Sequence, residues 1–255
     1  MCRAGVAVAA RAEIIMSERK VILVTGASRG IGRALAVAAG SSGYDTVINY
    51  RSSETEATKT VKIIQAAGGR ALSLRGDVSE RGDVTRVING VVGALGRLDA
   101  VVNNAGIGEV IRREDLDQAT FERAIRYNLL SAFLVSQAAI PHLQERGGRL
   151  IFLSSGAART GGSISAAYAA SKAGVEGLMH YYAINLRSDR ITANAIAPSF
   201  VESDMINQLN LPDAATLPLG RLGRPDEMWP ALRMILETEY LTGQTIHIDA
   251  GRYMT

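Results

Sequence analysis

The sequence predicts one α/β domain built on a doubly wound, seven-stranded parallel sheet with helices on both faces. Three observations carry that expectation. Short apolar, β-branched runs alternate with longer segments of helical period, the pattern of βαβ units. A glycine-rich turn follows the first apolar run directly. No internal repeat, low-complexity tract or Pro/Gly linker divides the 255 residues, and 47% hydrophobic content suffices for one core with full flanking layers.

In chain order, strands are read at 21–25, 46–50, 71–75, 100–103, 149–154, 192–196 and 245–248. The first is the unbroken apolar run Val21-Ile22-Leu23-Val24, and the fifth contains Leu150-Ile151-Phe152-Leu153. A helix is expected to start near Gly30, another to carry Tyr127-Asn128-Leu129, and a third to run through Tyr168 towards Tyr181 and Tyr182. Periodicity breaks from 198 to 225, where prolines 198, 212, 218 and 225 punctuate a stretch read as a loop over the active site, with 199–220 as its lid.

The formal charge of +3 and the absence of a basic run interleaved with aromatics argue against a nucleic-acid partner. The single cysteine, Cys2, excludes an internal disulfide, and His142, His180 and His247 stand singly, so no metal site is read. No apolar run approaches the ~18 residues of a membrane span, and a soluble, cytoplasmic protein is expected. Residues 1–19 are read as an extension without ordered structure, Met16-Ser-Glu-Arg-Lys being a natural start for a catalytic domain over 20–255.

Two patterns carry chemistry. In Thr25-Gly26-Ala27-Ser28-Arg29-Gly30-Ile31-Gly32, three glycines permit a tight turn and close backbone approach to a diphosphate, and the helix that follows aims its amide-rich end at that charge. The spacing differs from the general dinucleotide fingerprint, and its place after the first strand supplies the context that the motif needs. Tyr168 and Lys172 are four residues apart and so share a helical face. The Lys172 ammonium beside the phenol is expected to favour its ionised form, which would make Tyr168 an acid or base usable near neutral pH.

Thr25-Gly26-x-x-x-Gly30-x-Gly32, Asn103-Asn104-Ala105-Gly106, Asn128, Ser155 and Tyr168-x-x-x-Lys172 occur in the order and spacing of the short-chain dehydrogenase/reductase family, which the chain resembles over roughly 20–253. The resemblance implies a Rossmann-type, homotetrameric oxidoreductase with a nicotinamide cofactor. It implies Tyr168 as proton donor in reduction, Lys172 as ligand of the nicotinamide ribose, and Asn128 as anchor of a water joining Lys172 to solvent. An asparagine in an apolar helix can also be a structural amide. Ser155 would bond the substrate oxygen, its neighbour Ser154 being the rival that the family's spacing to tyrosine rejects. Cofactor contacts implied are Gly26, Ser28, Arg29, Gly30, Ile31 and Gly32 in the turn, Asp77 and Val78 at the adenine, Asn103, Ala105 and Gly106 beneath the ribose, and Pro198, Val201 and Ser203 after the sixth strand.

The second strand ends Ile48-Asn49-Tyr50-Arg51-Ser52-Ser53, with no acid before Glu54 to hold a ribose 2′-hydroxyl. Arg51 and Ser52, helped by Arg29, suit a 2′-phosphate instead, so NADP(H) is the expected cofactor. Two departures from the family stand out: Ser199 and Phe200 follow Pro198 where Pro-Gly is usual, and Asp249-Ala250-Gly251 replaces a frequent Gly-Gly pair. Within the family the chain looks most similar to 3-oxoacyl-acyl-carrier-protein reductases, whose acidic carriers dock on basic residues beside the active-site mouth. Arg146 matches one such position, and Asp189, next to Arg190, holds the other. The alternatives are a sugar, polyol or small secondary-alcohol dehydrogenase on the same scaffold and a non-catalytic NADP-binding regulator. A regulator would not need the proton-relay residues.

Overall fold

The computed structural model describes residues 18–204, 206–208 and 217–254. Within them, β1 (Val21–Val24), β2 (Asp45–Tyr50), β3 (Arg70–Arg75), β4 (Ala100–Asn103), β5 (Gly148–Leu153), β6 (Ile191–Pro198) and β7 (Thr245–Ile248) form one sheet. It is parallel throughout, in the order β3-β2-β1-β4-β5-β6-β7. All seven expected strands are present: β4 and β7 match at both ends, β1, β2 and β3 differ by one residue at one end, and β5 is shifted by one. The sixth runs two residues further, to Pro198, because it stays paired with β7 up to Pro198 opposite Ile248. A proline is tolerated there, at the strand's end.

The alternation of side chains along a strand splits the apolar residues between two cores. Val21 and Leu23 of β1 enter one, with Val101, Leu150 and Phe152. That core is closed by α3 (Arg81–Leu95), α5 (Ser131–Gln144) and α7 (Ala166–Asn185), which contribute Val87, Val135 and Met179. Ile22 and Val24 face the other way, against α1 (Gly30–Ser41), α2 (Glu54–Ala66) and α8 (Trp229–Glu237), which supply Leu35, Ile64 and Ile235. A sheet buried on both faces explains why its strands read as near-continuous apolar runs.

The chain leaves β1 towards β2 and β3, then returns to place β4 on the opposite side of β1. That reversal opens a crevice outside the carboxyl ends of β1 and β4, where open α/β sheets bind ligands. Both the glycine turn after β1 and the segment 103–106 after β4 arrive there. The helix expected around Asn128 has a feature that its sequence period does not show. Between α4 (Gln118–Ala124) and α5, residues Ile125–Leu130 wind as a π-helix. Such bulges recur at functional sites because the widened turn re-aims a side chain.

In the expected irregular region the described residues form short 3-10 turns at Ile206–Gln208, Pro218–Gly220 and Pro225–Met228. Residues 205 and 209–216 of the expected lid, and 1–17 of the expected extension, lie outside the described residues. Among the described residues no helix is long and apolar enough to cross a membrane, and no group of metal-ligating side chains is present.

Candidate active site

Gly26 and Gly30 adopt φ of +62° and +57°, the left-handed region that side chains disfavour. A Cβ on Gly26 would lie 2.9 Å from Ala105 Cα, and one on Gly32 would lie 2.4 Å from Asn104 Nδ2 and 2.8 Å from Gly26 O. The turn therefore packs directly on the strand-four loop. Asn104 and Thr25 lock the two together: Asn104 Nδ2 donates to Thr25 O (2.8 Å) and Gly26 O (3.1 Å), while Thr25 Oγ1 accepts from the amides of Asn104 and Ala105, both at 3.0 Å. Helix α1 starts at Gly30 with no side-chain cap, so the first-turn amides remain available to an anion.

One cleft gathers most of the expected adenosine-side residues. Gly26, Ser28 and Arg29 form one wall, Arg51 and Ser52 a second, and Asp77, Val78, Ala105 and Gly106 the floor. Two residues not anticipated there complete it. Buried Asn49 donates through Nδ2 to Gly76 O at 3.0 Å, tying β2 to the end of β3. Tyr127 lies under the Arg51 guanidinium, 4.9 Å from Cζ to ring centroid. Arg51 Nη1 is 3.7 Å from an Asp77 oxygen, and the other Asp77 oxygen accepts from Ser79 N (3.0 Å) and Oγ (2.8 Å). A cradle that added Cβ atoms would fill, with two arginines and no acid ending β2, fits a dinucleotide. Asn103 does not join the cleft, since its side chain donates to Ser136 Oγ of α5 at 3.2 Å and so serves packing. Tyr127 and Asn49 carried no motif signal; only the fold brings them to the cleft.

A second cavity holds Ser155 and Tyr168, together with Ile31, Pro198, Val201 and Ser203 of the expected set. Ser155 lies just beyond the end of β5, ahead of the short helix α6 (Ala157–Thr160), and Tyr168 in the first turn of α7, capped by Ser165 Oγ, which accepts from Tyr168 N at 3.2 Å. Ser155 Oγ accepts from Ala157 N at 3.2 Å, and the hydroxyl shares the cavity with the phenol. Its rival Ser154 turns inwards and donates to Glu176 Oε1 at 2.8 Å; the other Glu176 oxygen pairs with Arg159 at 2.8 Å. The two serines are thus separated by strand alternation, one facing the core and one the cavity.

Lys172 is buried, and its Nζ donates to Leu153 O at 2.7 Å and lies 5.7 Å from the Tyr168 ring centroid. Asn128 reaches the same place from the π-helix. Its Oδ1 accepts from Ile107 N (2.7 Å), and its Nδ2 donates to Ile107 O (3.0 Å) and Ser171 Oγ (2.8 Å). A Cβ on Gly106 would sit 2.8 Å from Asn128 Oδ1 and 3.8 Å from Lys172 Nζ, so the loop after β4 passes against both. The side-chain amide is therefore fully satisfied within the protein, as a structural amide would be.

Two expectations are corrected by this geometry. Burial pushes the Tyr168 phenol up from its ordinary value, with the Ser155 hydroxyl acting against the shift, whereas a lowering by Lys172 was expected. The same burial lowers Lys172 to about 8, because loss of water disfavours the ammonium. The second correction concerns Arg146 and Arg190, expected beside the active-site mouth. They line a basic groove with Gly148 and Ile191, the first residues of β5 and β6, at the end of the sheet opposite Ser155 and Tyr168.

A parallel sheet with a glycine turn at its switch point, and a cavity lined by a serine and a buried tyrosine with a buried lysine on the tyrosine's own helix, defines a dinucleotide-dependent oxidoreductase of the Rossmann type. The chain belongs to the short-chain dehydrogenase/reductase family, whose short chain dehydrogenase model matches residues 20–214. It is 37% identical over 240 residues to the 3-oxoacyl-acyl-carrier-protein reductase of Synechocystis sp., covering 92% of this chain and 97% of that one. It is also 37% identical over 246 residues to the FabG 3-oxoacyl-acyl-carrier-protein reductase of Staphylococcus aureus, covering 94% and 100%. A crystal structure from Burkholderia xenovorans, described as of this family, superposes with a TM-score of 0.86 at 30% identity, over 92% of this chain and 98% of that one.

Proposed function

We propose that this chain is an NADPH-dependent reductase of carbonyl compounds, with 3-oxoacyl thioesters as the substrate class. The observation that carries the reductase reading is that Ser155 and Tyr168 line one cavity together, which Pro198, Val201 and Ser203 also line. The names of the two 37%-identical relatives support the acyl class. When bound, the nicotinamide supplies the hydride that reduces the carbonyl carbon.

Reduction leaves negative charge on the substrate oxygen, which needs a proton and a donor. Ser155 Oγ donates to that oxygen and Tyr168 Oη delivers the proton. Burial keeps the phenol neutral at physiological pH, so it is held in the proton-donating form that reduction uses. Lys172, anchored on Leu153 O, places an ammonium behind the tyrosine, and Asn128 and Gly106 fix the wall beside it. The positions of Asn128, Ser155, Tyr168 and Lys172 argue for catalysis over a purely regulatory role. Exposed Leu130, Phe133, Tyr181 and Ile184, together with the open edge of β7, support a homotetramer. A cytoplasmic location belongs to the same proposal and rests on the single cysteine and the cofactor.

The test is a screen that follows NADPH oxidation with acetoacetyl thioesters, sugar or polyol ketones and small neutral ketones. Turnover of the thioesters is expected. Turnover of a sugar or polyol ketone without them would replace the acyl reading with the alcohol-dehydrogenase alternative, and no turnover of any carbonyl would favour the regulator.

Cofactor choice has its own test. Arg51, held over Tyr127 at the end of β2, is positioned for a 2′-phosphate, and Arg29 faces the same cleft. NADPH is expected to be preferred over NADH, and Arg51→Asp to reverse the order by removing a charge-assisted bond worth roughly 1.5 to 3 kcal/mol and adding repulsion. Equal kcat/KM for both cofactors in the unmutated protein would refute this.

A further inference from the structure

The cavity holding Ser155 and Tyr168, about 100 Å³, carries an unusual charge arrangement. Among the described residues that line it, hydroxyls of Ser155, Thr160, Ser163, Ser199 and Ser203 accompany one charged side chain, Arg252, and no acid. Arg252 comes from the turn after β7. Its guanidinium stacks on the Phe200 ring, 3.8 Å from Cζ to the centroid, and no carboxylate among the described residues pairs with it. Stacking immobilises the plane of a guanidinium while its in-plane N–H donors stay directed outwards, the geometry that grips a carboxylate through two parallel bonds.

Both partners in that stack are placed by the departures from the family pattern. Phe200 adopts φ +48°, a left-handed conformation that a bulky residue rarely takes and that points to function when the surrounding structure enforces it. The enforcement is visible: Gly156 N donates to Pro198 O (3.0 Å), Ser199 N to Ile248 O (3.3 Å) and Gly223 N to Phe200 O (2.9 Å). Asp249 organises the other side. Its carboxylate accepts from Gly251 N at 3.0 Å and Tyr253 N at 2.9 Å, and its carbonyl from Arg252 N at 3.3 Å. Asp249 thus closes a turn around Ala250, itself at φ +56°, that presents Arg252 to the cavity.

We propose that Arg252 reads a carboxylate on the substrate, so that the carbonyl compound reduced at Ser155 and Tyr168 is an acid: a free oxo acid, or an acyl thioester whose tail ends in a carboxylate. This rests on the reductase reading above and adds the charge of the substrate. A single cation and no acid among the described lining residues favour an anion over a neutral sugar or alkyl ketone. Arg252 supplies the attraction, and Phe200 restricts it to one orientation.

The test uses the NADPH-loaded protein in two arms. In the binding arm, calorimetry compares butyrate with butyramide, of nearly the same shape and without charge. Butyrate is expected to bind at least tenfold more tightly, and Arg252→Met to abolish the difference. In the kinetic arm, 2-, 3-, 4- and 5-oxo acids are compared with their methyl esters. At least one acid is expected to exceed its ester in kcat/KM, with the acid-to-ester ratio falling at least tenfold in Arg252→Met and inverting in Arg252→Glu. Equal binding of butyrate and butyramide, or an unchanged ratio in the variants while ketones are still reduced, would overturn the carboxylate proposal alone. Failure to reduce any carbonyl would overturn the reductase reading beneath it.

Discussion

Tyr168→Phe is expected to lower kcat by ~100-fold or more, the usual scale of positioned acid–base catalysis, while leaving NADPH affinity unchanged. Only the hydroxyl is lost; the ring stays buried against Ala157 and Ile164. Direct binding titration and steady-state kinetics on the same preparation separate the two effects. The pH dependence has a defined sign. Burial raises the phenol above its ordinary value, so reduction, which uses the neutral form, should stay level through neutral pH. The reverse oxidation needs the phenolate and should still be rising at the alkaline end of the accessible range. Near-normal turnover in Tyr168→Phe would remove the tyrosine from the mechanism and move the protein towards the regulator reading.

The second large effect concerns Lys172. Burial holds its ammonium at about 8 in the fold, against 10.5 for a lysine in water. The unfolded chain therefore binds more protons between those values, and stability rises with pH across that window. Below about pH 8 the full cost of burying the charge is present, about 3 kcal/mol from the size of the shift. Lys172→Met removes that cost and loses the charge-assisted hydrogen bond to Leu153 O, worth roughly 1.5 to 3 kcal/mol. The stability of the variant relative to the parent should fall as pH rises from about 8 towards 10, and the variant should turn over far more slowly. The window closes above 10.5 because the unfolded lysine then loses its own proton; Tyr168, with its raised value, keeps its proton in the fold after the unfolded tyrosine begins to lose it, and so lowers the slope in parent and variant alike near pH 10. Denaturant titrations at pH 7, 8, 9 and 10 measure both slopes, and parallel slopes in parent and variant would refute the argument.

The opposed shifts of the two residues bear on mechanism. A neutral phenol and a partly titrating ammonium, packed in one desolvated pocket, are matched to delivering a proton, not to storing a phenolate. Lys172 thus acts by position and charge behind the tyrosine. Its four-residue spacing from Tyr168 was legible, because a helix turns neighbours four apart onto one face. The direction of the phenol's shift was not, because burial depends on what the rest of the chain places around the pair.

The same division runs through the whole protein. The features legible in the residues alone were local or periodic: seven apolar strands and their alternation with helices, the glycine turn that only a φ near +60° permits, the missing acid after β2, and the order and spacing of Ser155, Tyr168 and Lys172. The remaining features depend on which segments meet in the fold. Strand alternation sends Ser154 to Glu176 and leaves Ser155 in the cavity; the contact with α5 takes Asn103 away from the cofactor cleft, where Asn104 ties the glycine turn. Arg146 and Arg190 fall at the far end of the sheet because they precede β5 and β6, and a parallel strand carries its catalytic residues at its carboxyl end. Arg252, distant in sequence from every motif, reaches Phe200 and the carbonyl cavity because β7 pairs with β6 up to Ile248 opposite Pro198, bringing the two strand ends side by side. Residue type and spacing specify what a side chain can do; the chain's return across the sheet specifies what it does it to.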